Sequence, residues 1–359
     1  MPVWTIPAGV PFLDALARSL VGARDERDPL ALARATILVP TRRAVPALRE
    51  AFLRAGDGKP LLLPRIMPLG EIDAEDAAIG DAEEGGSGGD LPPAIGASAR
   101  QILLARALLK IDGDRQLDQA LGLASELGRL LDQVQTEGLD LGRLETLVPA
   151  ELAVHWQRTL AVLRILAEHW PGLLAAEGAI DPAERRNRAL LAQAEAWQKA
   201  PPADPVIAAG STGSVPATAA LLAVVATLPQ GAVILPGLDR AIAAAEWERI
   251  RDHEPTHPQH GLARLLQHLK VDPADVPDWP GAGRPRPEAE ARRALLRQAL
   301  RPAETTGAWQ EIAAGRVAVP PEALDGLTLI ECASPEEEAS TVAVLMRETL
   351  ETPGATAAL

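Results

Sequence analysis

Short apolar runs that end at a turn and hand over to helix-spaced segments organise this chain. Ala35–Pro40 (ATILVP) leads into Thr41–Gly56, Pro205–Gly210 (PVIAAG) into Val215–Leu228, and Leu327–Cys332 (LTLIEC) into Pro335–Leu350. Gly231–Gly237 (GAVILPG) follows the second of these helices directly, and VWTIP near the start reads as a first strand. Uninterrupted apolar runs of about four to six residues suit strands buried on both faces of a sheet. Their alternation with helices of roughly 12 to 16 residues predicts a parallel α/β sheet.

Helix starts are marked by capping chemistry. Ser334, Pro335 and Glu337 supply an N-cap, a first-turn proline and a capping-box glutamate. Asp181, Pro182 and Glu184 repeat that arrangement, and Ser214 is placed to cap the helix that contains Pro216. Between the early and middle strands, Ala97–Ala200 carries no strand signal and reads as all helix. Leu123, Leu127, Leu130, Leu131 and Val134 form one apolar stripe there; Trp156, Leu160, Leu163 and Trp170 form another, and Leu190, Ala194 and Trp197 a third. The pattern predicts a helical domain inserted into an α/β domain. Glu71–Pro93, with eight acids and no base, reads as a mobile acidic loop, and Gly281–Glu290 as an exposed Pro/Gly-rich segment. The closing TPGATAAL reads as a strand cut short, so the chain is expected to be a piece of a longer protein.

Composition changes this picture in a few respects. The 359 residues call for more than one core, and 47% apolar residues are enough to fill them. A formal charge of -14 argues against a surface that coats nucleic acid, but leaves room for a local basic track. One cysteine, Cys332, builds no disulfide, zinc site or iron–sulfur cluster, and fits a reducing cytoplasm. No leader peptide or membrane span is expected.

The candidate chemistry is largely one of omission. A phosphate-cradling loop needs glycines, a Lys and a Ser or Thr. The turn after the first strand reads AGVPFLDAL, with Gly9 but neither Lys nor Ser/Thr. Gly58-Lys59 is followed by Pro60, so it is no substitute. No acid that could hold a metal ends PVIAAGST, and Asp239, just past GAVILPG, is assigned to the surface. The positive signal is basic: Thr41 to Ile66 holds six bases against two acids. Thr41, Arg42 and Arg43 fall just past the carboxyl end of a predicted buried strand, where α/β folds place ligand contacts. With Arg65 they are the candidate phosphodiester-backbone contacts. Arg284 to Arg301, with six Arg against two Glu, reads as an exposed amphipathic helix. His253, His257 and His260 lie among prolines and read as loop histidines without a metal, while His155 and His169 flank helical tryptophans. Ser211 and Ser214 in GSTGS lack the Gly-x-Ser-x-Gly form of a nucleophile elbow.

In order, IPAGVPFLDAL, ATILVPTRRAVPALREAFL, LLLPRIMPLGEID, LLDQVQTEG, HWQRTLAVLRIL, GAIDPAERRNRALL, PVIAAGSTGSVPATAALL, GAVILPGLD and HPQHGLARLL resemble the amino-terminal half of the alphaproteobacterial AddB family. AddB is the second subunit of the AddAB double-strand-break repair helicase–nuclease. The resemblance spans essentially the whole chain, and it is the ordered set that is specific. It implies a P-loop-NTPase-like helicase domain of the UvrD/RecB type with an inserted all-helical domain. On that scheme residues 1–96 and 201–320 form the α/β domain, 97–200 the helical insertion and 321–359 the truncated start of a second motor-like domain. It implies AddA, which carries the motor, and DNA as partners, in a cytoplasmic, nucleoid-associated setting. Full-length relatives carry a carboxy-terminal nuclease with a cysteine-bound iron–sulfur cluster and nuclease metal ions; with Cys332 alone, no cofactor is expected here. Some relatives keep a phosphate loop that this sequence lacks. The family's helicase-like region is linked to reading the Chi sequence, yet VPTRRA and RIMPLGEID carry no aromatic residue to stack on bases. The expected function is therefore a non-catalytic DNA guide and scaffold. An autonomous α/β enzyme, or an interaction module without DNA contact, are the alternatives.

Overall fold

The computed structural model describes residues 2–23, 28, 30–69, 91–111, 116–139, 168–316 and 318–357. Five strands, β1 (Val3–Ile6), β2 (Thr36–Val39), β3 (Arg65–Pro68), β4 (Val206–Ala209) and β5 (Gly231–Pro236), form one sheet in the order β1-β5-β4-β2-β3. Every pairing is parallel. Successive side chains of a strand face opposite ways, and here both faces are covered. Ile37, Val39, Ile207, Ala209, Ala232 and Ile234 point into one apolar core. Leu38, Val206, Ala208, Val233 and Leu235 point into the other. That is why these runs contain no polar alternation.

The first core is closed by α1 (Phe12–Gly22) and α3 (Ala44–Ala55), which bury Leu16, Leu48 and Phe52. A four-residue helix, α2 (Ala31–Arg34), precedes β2. The second core is closed by α7 (Pro216–Val225), α8 (Ala244–His253) and α9 (His260–Leu269), through Leu221, Leu222, Trp247, Leu265 and Leu266. The free edge of β1 is capped by residues 277–279. The Thr5 N–H donates to the Pro277 carbonyl at 2.9 Å, and the Trp279 N–H to the Thr5 carbonyl at 2.8 Å. The Trp4 and Trp279 rings then pack edge to face at 5.2 Å.

Between β3 and β4 come α4 (Ala97–Ile111), α5 (Leu117–Thr136), a helical stretch over 168–176 and α6 (Pro182–Lys199). Leu127, Leu131 and Val134 of the expected α5 stripe are buried, with Leu123 and Leu130 half-buried beside Leu104, Leu108 and Trp170. The third stripe goes elsewhere: Leu190 and Ala194 of α6, with Trp197, pack into the sheet's second core. Trp156, Leu160, Leu163, His155 and the acidic segment 71–90 lie outside the described residues.

Several sequence expectations need correction. β3 is an addition to the expected strands: it follows Pro64, ends on Pro68 and is paired with β2. Leu327–Cys332 forms no strand: Leu329 is 87% exposed, and among the described residues no strand pairs with this segment. Residues 352–357 form no strand either. Ser214 does not cap α7, because the N-cap position falls one residue later, at Val215, which makes no side-chain cap bond. Asp181 sits at the start of α6 but makes no cap bond. It is fully buried, and one oxygen accepts from Trp170 Nε1 at 2.8 Å and Gln135 Nε2 at 2.6 Å. Its other oxygen lies 2.8 Å from Arg100 Nε, an ion pair whose angle falls short of a hydrogen bond. A buried carboxylate gains more from a guanidinium than from a backbone amide. Ser334 does cap the final helix, α12 (Pro335–Glu351): its Oγ accepts from the Glu337 N–H, and Glu337 accepts from the Ala333 N–H at 2.8 Å.

Candidate functional site

The connections after β1 and β2 run to α1 and α3 on one face, and those after β4 and β5 to α7 and α8 on the other. Where neighbouring strands send their connections to opposite faces, a crevice opens at their carboxyl ends, and α/β proteins bind ligands there. This sheet has two such places, one between β1 and β5 and one between β4 and β2.

The β1/β5 crevice is closed by the chain itself. Buried Thr5 donates its hydroxyl to the Leu235 carbonyl at 3.1 Å and accepts from the Leu238 N–H at 3.2 Å, tying the two strand ends together. Helix α10 (Pro287–Ala299) lies over the turn after β1, so close that a Cβ on Gly9 would stand 2.7 Å from the Ala289 Cβ. Gly9 has φ +87, a conformation in which glycine is strain-free. Its role is helix seating as well as turn geometry. Asp239 corrects its surface assignment: it is buried, 7% exposed, and holds Arg297 of α10 in a two-pronged pair at 2.7 and 2.8 Å. Gln259 braces the same turn, donating to the Gly237 carbonyl at 3.1 Å and accepting from the Asp239 N–H at 3.3 Å. What stays open is a cavity of about 260 Å³ lined by Pro7, Leu238, Arg240, Ala241, Asp278 and Arg293. A nucleoside triphosphate does not fit this chemistry: the turn offers no ammonium or hydroxyl to its phosphates, and a helix covers it.

The β2/β4 crevice is different. The register sets Leu38 beside Ala208 and so carries Pro40 alongside Gly210, whose Cβ would lie 3.7 Å from the proline ring. Thr41, Arg42 and Arg43 follow at once, all three exposed, and α3 starts at Ala44 without a side-chain cap. Across from them runs Gly210–Ser214. Ser211 Oγ accepts from the Gly213 N–H at 3.2 Å, an internal turn contact rather than a nucleophile's setting. Three of the four basic-track candidates thus share one exposed loop. Arg65 does not join them: it pairs with Thr36, at the amino end of β2. The strand puts it at least about 10 Å away at the opposite edge, half-buried.

The second basic segment serves the fold. Arg292 Nε donates to the Ala323 carbonyl at 3.0 Å, Arg293 pairs with Glu290 at 2.6 Å, Arg297 with Asp239 and Arg301 with Glu246. His257 Nδ1 accepts from the Gln259 N–H at 3.1 Å, and the His260 ring meets the Ile250 carbonyl at 2.8 Å. Partial burial lowers the His257 pKa below its ordinary value, against the opposing pull of Glu254. His169 is exposed. Among the described residues, no group of three or more His, Cys, Asp or Glu side chains could hold a metal ion, and Cys332 lies 3.8 Å from the Thr341 hydroxyl. One thiol cannot ligate an iron–sulfur cluster of the kind the resemblance implies.

The fold defines an α/β protein with one parallel five-stranded sheet, compatible with a P-loop-like α/β fold. No protein-family model and no curated protein matches the chain. No helix among the described residues is long and apolar enough to cross a membrane.

Proposed function

We propose that this chain is the helicase-like, non-catalytic part of an AddB-type subunit in a double-strand-break repair helicase–nuclease. On this reading the helices between β3 and β4 are an insertion in the motor-like domain. The chain guides a DNA strand handed on by an AddA-type motor, which supplies the energy, and acts in the cytoplasm at the nucleoid. The observation that carries the reading is the exposed Thr41-Arg42-Arg43 loop at the carboxyl end of β2. A hydroxyl and two guanidinium groups suit a phosphodiester backbone. Phosphate contacts position a strand without reading its sequence, which agrees with the lack of aromatic side chains in this loop. Arg65 is not part of this surface.

The test is single-strand binding followed by fluorescence anisotropy over a salt series. Replacing Arg42 and Arg43 by Ala together should weaken binding and flatten its salt dependence. Unchanged affinity and slope would refute the DNA-guide reading. An ATPase measurement on the purified chain should be blank, and turnover would favour an autonomous enzyme instead.

A further inference from the structure

The β1/β5 crevice stands apart from the DNA-guide reading, because its occupant is part of this chain. No side chain of α10 is buried, and Leu296 is 51% exposed. An apolar seam therefore does not hold this helix to the sheet. Ion pairs hold it. Arg297 meets Asp239, Arg301 just beyond the helix meets Glu246, and Glu304 further on meets Arg249. In the first two pairs the side chains are 10 to 22% exposed, so the charges are partly desolvated and their attraction exceeds that of an open surface pair. Asp239 lies in the turn that follows β5, and Glu246 and Arg249 lie on α8 just beyond it.

The cavity beneath the helix is not in itself an anion site. Arg240 already holds Asp278 at 2.7 Å and Arg293 holds Glu290 at 2.6 Å, so the local charges cancel. What the geometry contains is a cover. It sits where an α/β protein takes its ligand, it is seated by one glycine contact at Gly9, and it is fastened by arginine–carboxylate pairs.

We infer that residues 287–304 form an electrostatic latch over the β1/β5 crevice, able to lift while the sheet stays folded. Lifting requires that the Arg297, Arg301 and Arg249 pairs exchange their partners for water and salt ions, while residues 323–325, tied to Arg292, travel with the helix. It uncovers the turns Pro7–Pro11 and Gly237–Ala241 without opening either apolar core. High ionic strength favours the lifted state, because the screening length shrinks to about 3 Å at 1 M salt.

Hydrogen exchange on the intact chain tests this, with amides of α10 read against those of β4 and β5 in the same sample. Arg297→Ala and Asp239→Asn, made separately, should each speed exchange across α10 by tenfold or more and leave β4 and β5 unchanged. The unsubstituted chain moved from 0.05 M to about 1 M salt should shift the same way, so the inference stays testable if a variant fails to fold. Unaltered α10 protection in both the variants and high salt would overturn it. So would α10 opening only together with β4 and β5, which would make the helix part of the core.

Discussion

The two crevices at the carboxyl edge of the sheet have the same backbone origin and opposite fates. Between β1 and β5, each charged group near the mouth has a partner: Asp239 with Arg297, Arg240 with Asp278, Arg293 with Glu290. Between β2 and β4, Thr41, Arg42 and Arg43 are all exposed on the loop that follows β2. The difference teaches that arginine density alone does not mark a binding surface. The six arginines between 284 and 301 outnumber those of the β2 loop, yet Arg292, Arg297 and Arg301 fasten one part of the chain to another. Exposure, not number, separates the two sets: Arg42 and Arg43 stand at the surface beside a strand end, while Arg297 and Arg301 are largely buried in their ion pairs.

This contrast can be broken at several points. The largest effect is expected where the closed crevice is tied. Thr5→Val keeps the side-chain shape but removes the hydroxyl that bridges the Leu235 carbonyl and the Leu238 N–H. A buried N–H left without a partner costs about 2 kcal/mol, to be read as a lower urea midpoint. Stability unchanged within about 0.5 kcal/mol would mean the tie is dispensable.

Gly9→Ala should cost about 1.5 kcal/mol, from the left-handed backbone and the 2.7 Å clash with Ala289 combined. Gly58→Ala is its control, with φ +73 and open space around it, and should cost about 1 kcal/mol from backbone strain alone. Equal losses would show that α10 does not press on Gly9.

At the open crevice the prediction concerns affinity rather than folding. Arg42→Ala with Arg43→Ala should leave thermal stability within about 0.5 kcal/mol of the parent. Single-strand affinity should fall roughly tenfold, and the salt slope by about 1.4, at about 0.7 per phosphate contact. A stability loss with no change in affinity would invert the comparison and make this loop the structural one.

The smallest effect is a pH dependence carried by His257, next to the Gln259 brace. Burial lowers its folded pKa below the ordinary value of 6.5, so the unfolded chain binds the proton more readily. Its contribution is fully present above 6.5 and is lost as pH falls through the lower folded value. Urea midpoints at pH 7.5, 6.5 and 5.5 should decline on the acid side, and His257→Gln should flatten that decline.

Most of the sheet was legible in the sequence. β2, β4 and β5 are buried on both faces, and burial on both faces demands continuous apolar residues, a pattern that survives any tertiary detail. LTLIEC has the same local pattern and fails as a strand, because a strand needs a neighbour to take its amides and carbonyls, and none is present among the described residues. β3 is the reverse case: two prolines hide it, yet β2 offers an edge and the pairing forms. The position of Thr41, Arg42 and Arg43 just past β2 is legible because following a buried strand is a local property. That Arg65 lies at the other end of the strands is not, because pairing and strand direction decide it.

The sequence by itself determined that the chain is a parallel α/β protein and that the turn after β1 has neither Lys nor Ser/Thr for a phosphate. Both follow from residues close together in the chain. Only the tertiary structure decided that this turn is also covered, that Asp239 is spoken for by Arg297 fifty-eight residues on, and that Asp181 serves Arg100, Gln135 and Trp170 rather than its own helix. Those outcomes depend on which distant side chain arrives within hydrogen-bond reach, and a buried charge takes the strongest partner that the packing brings to it.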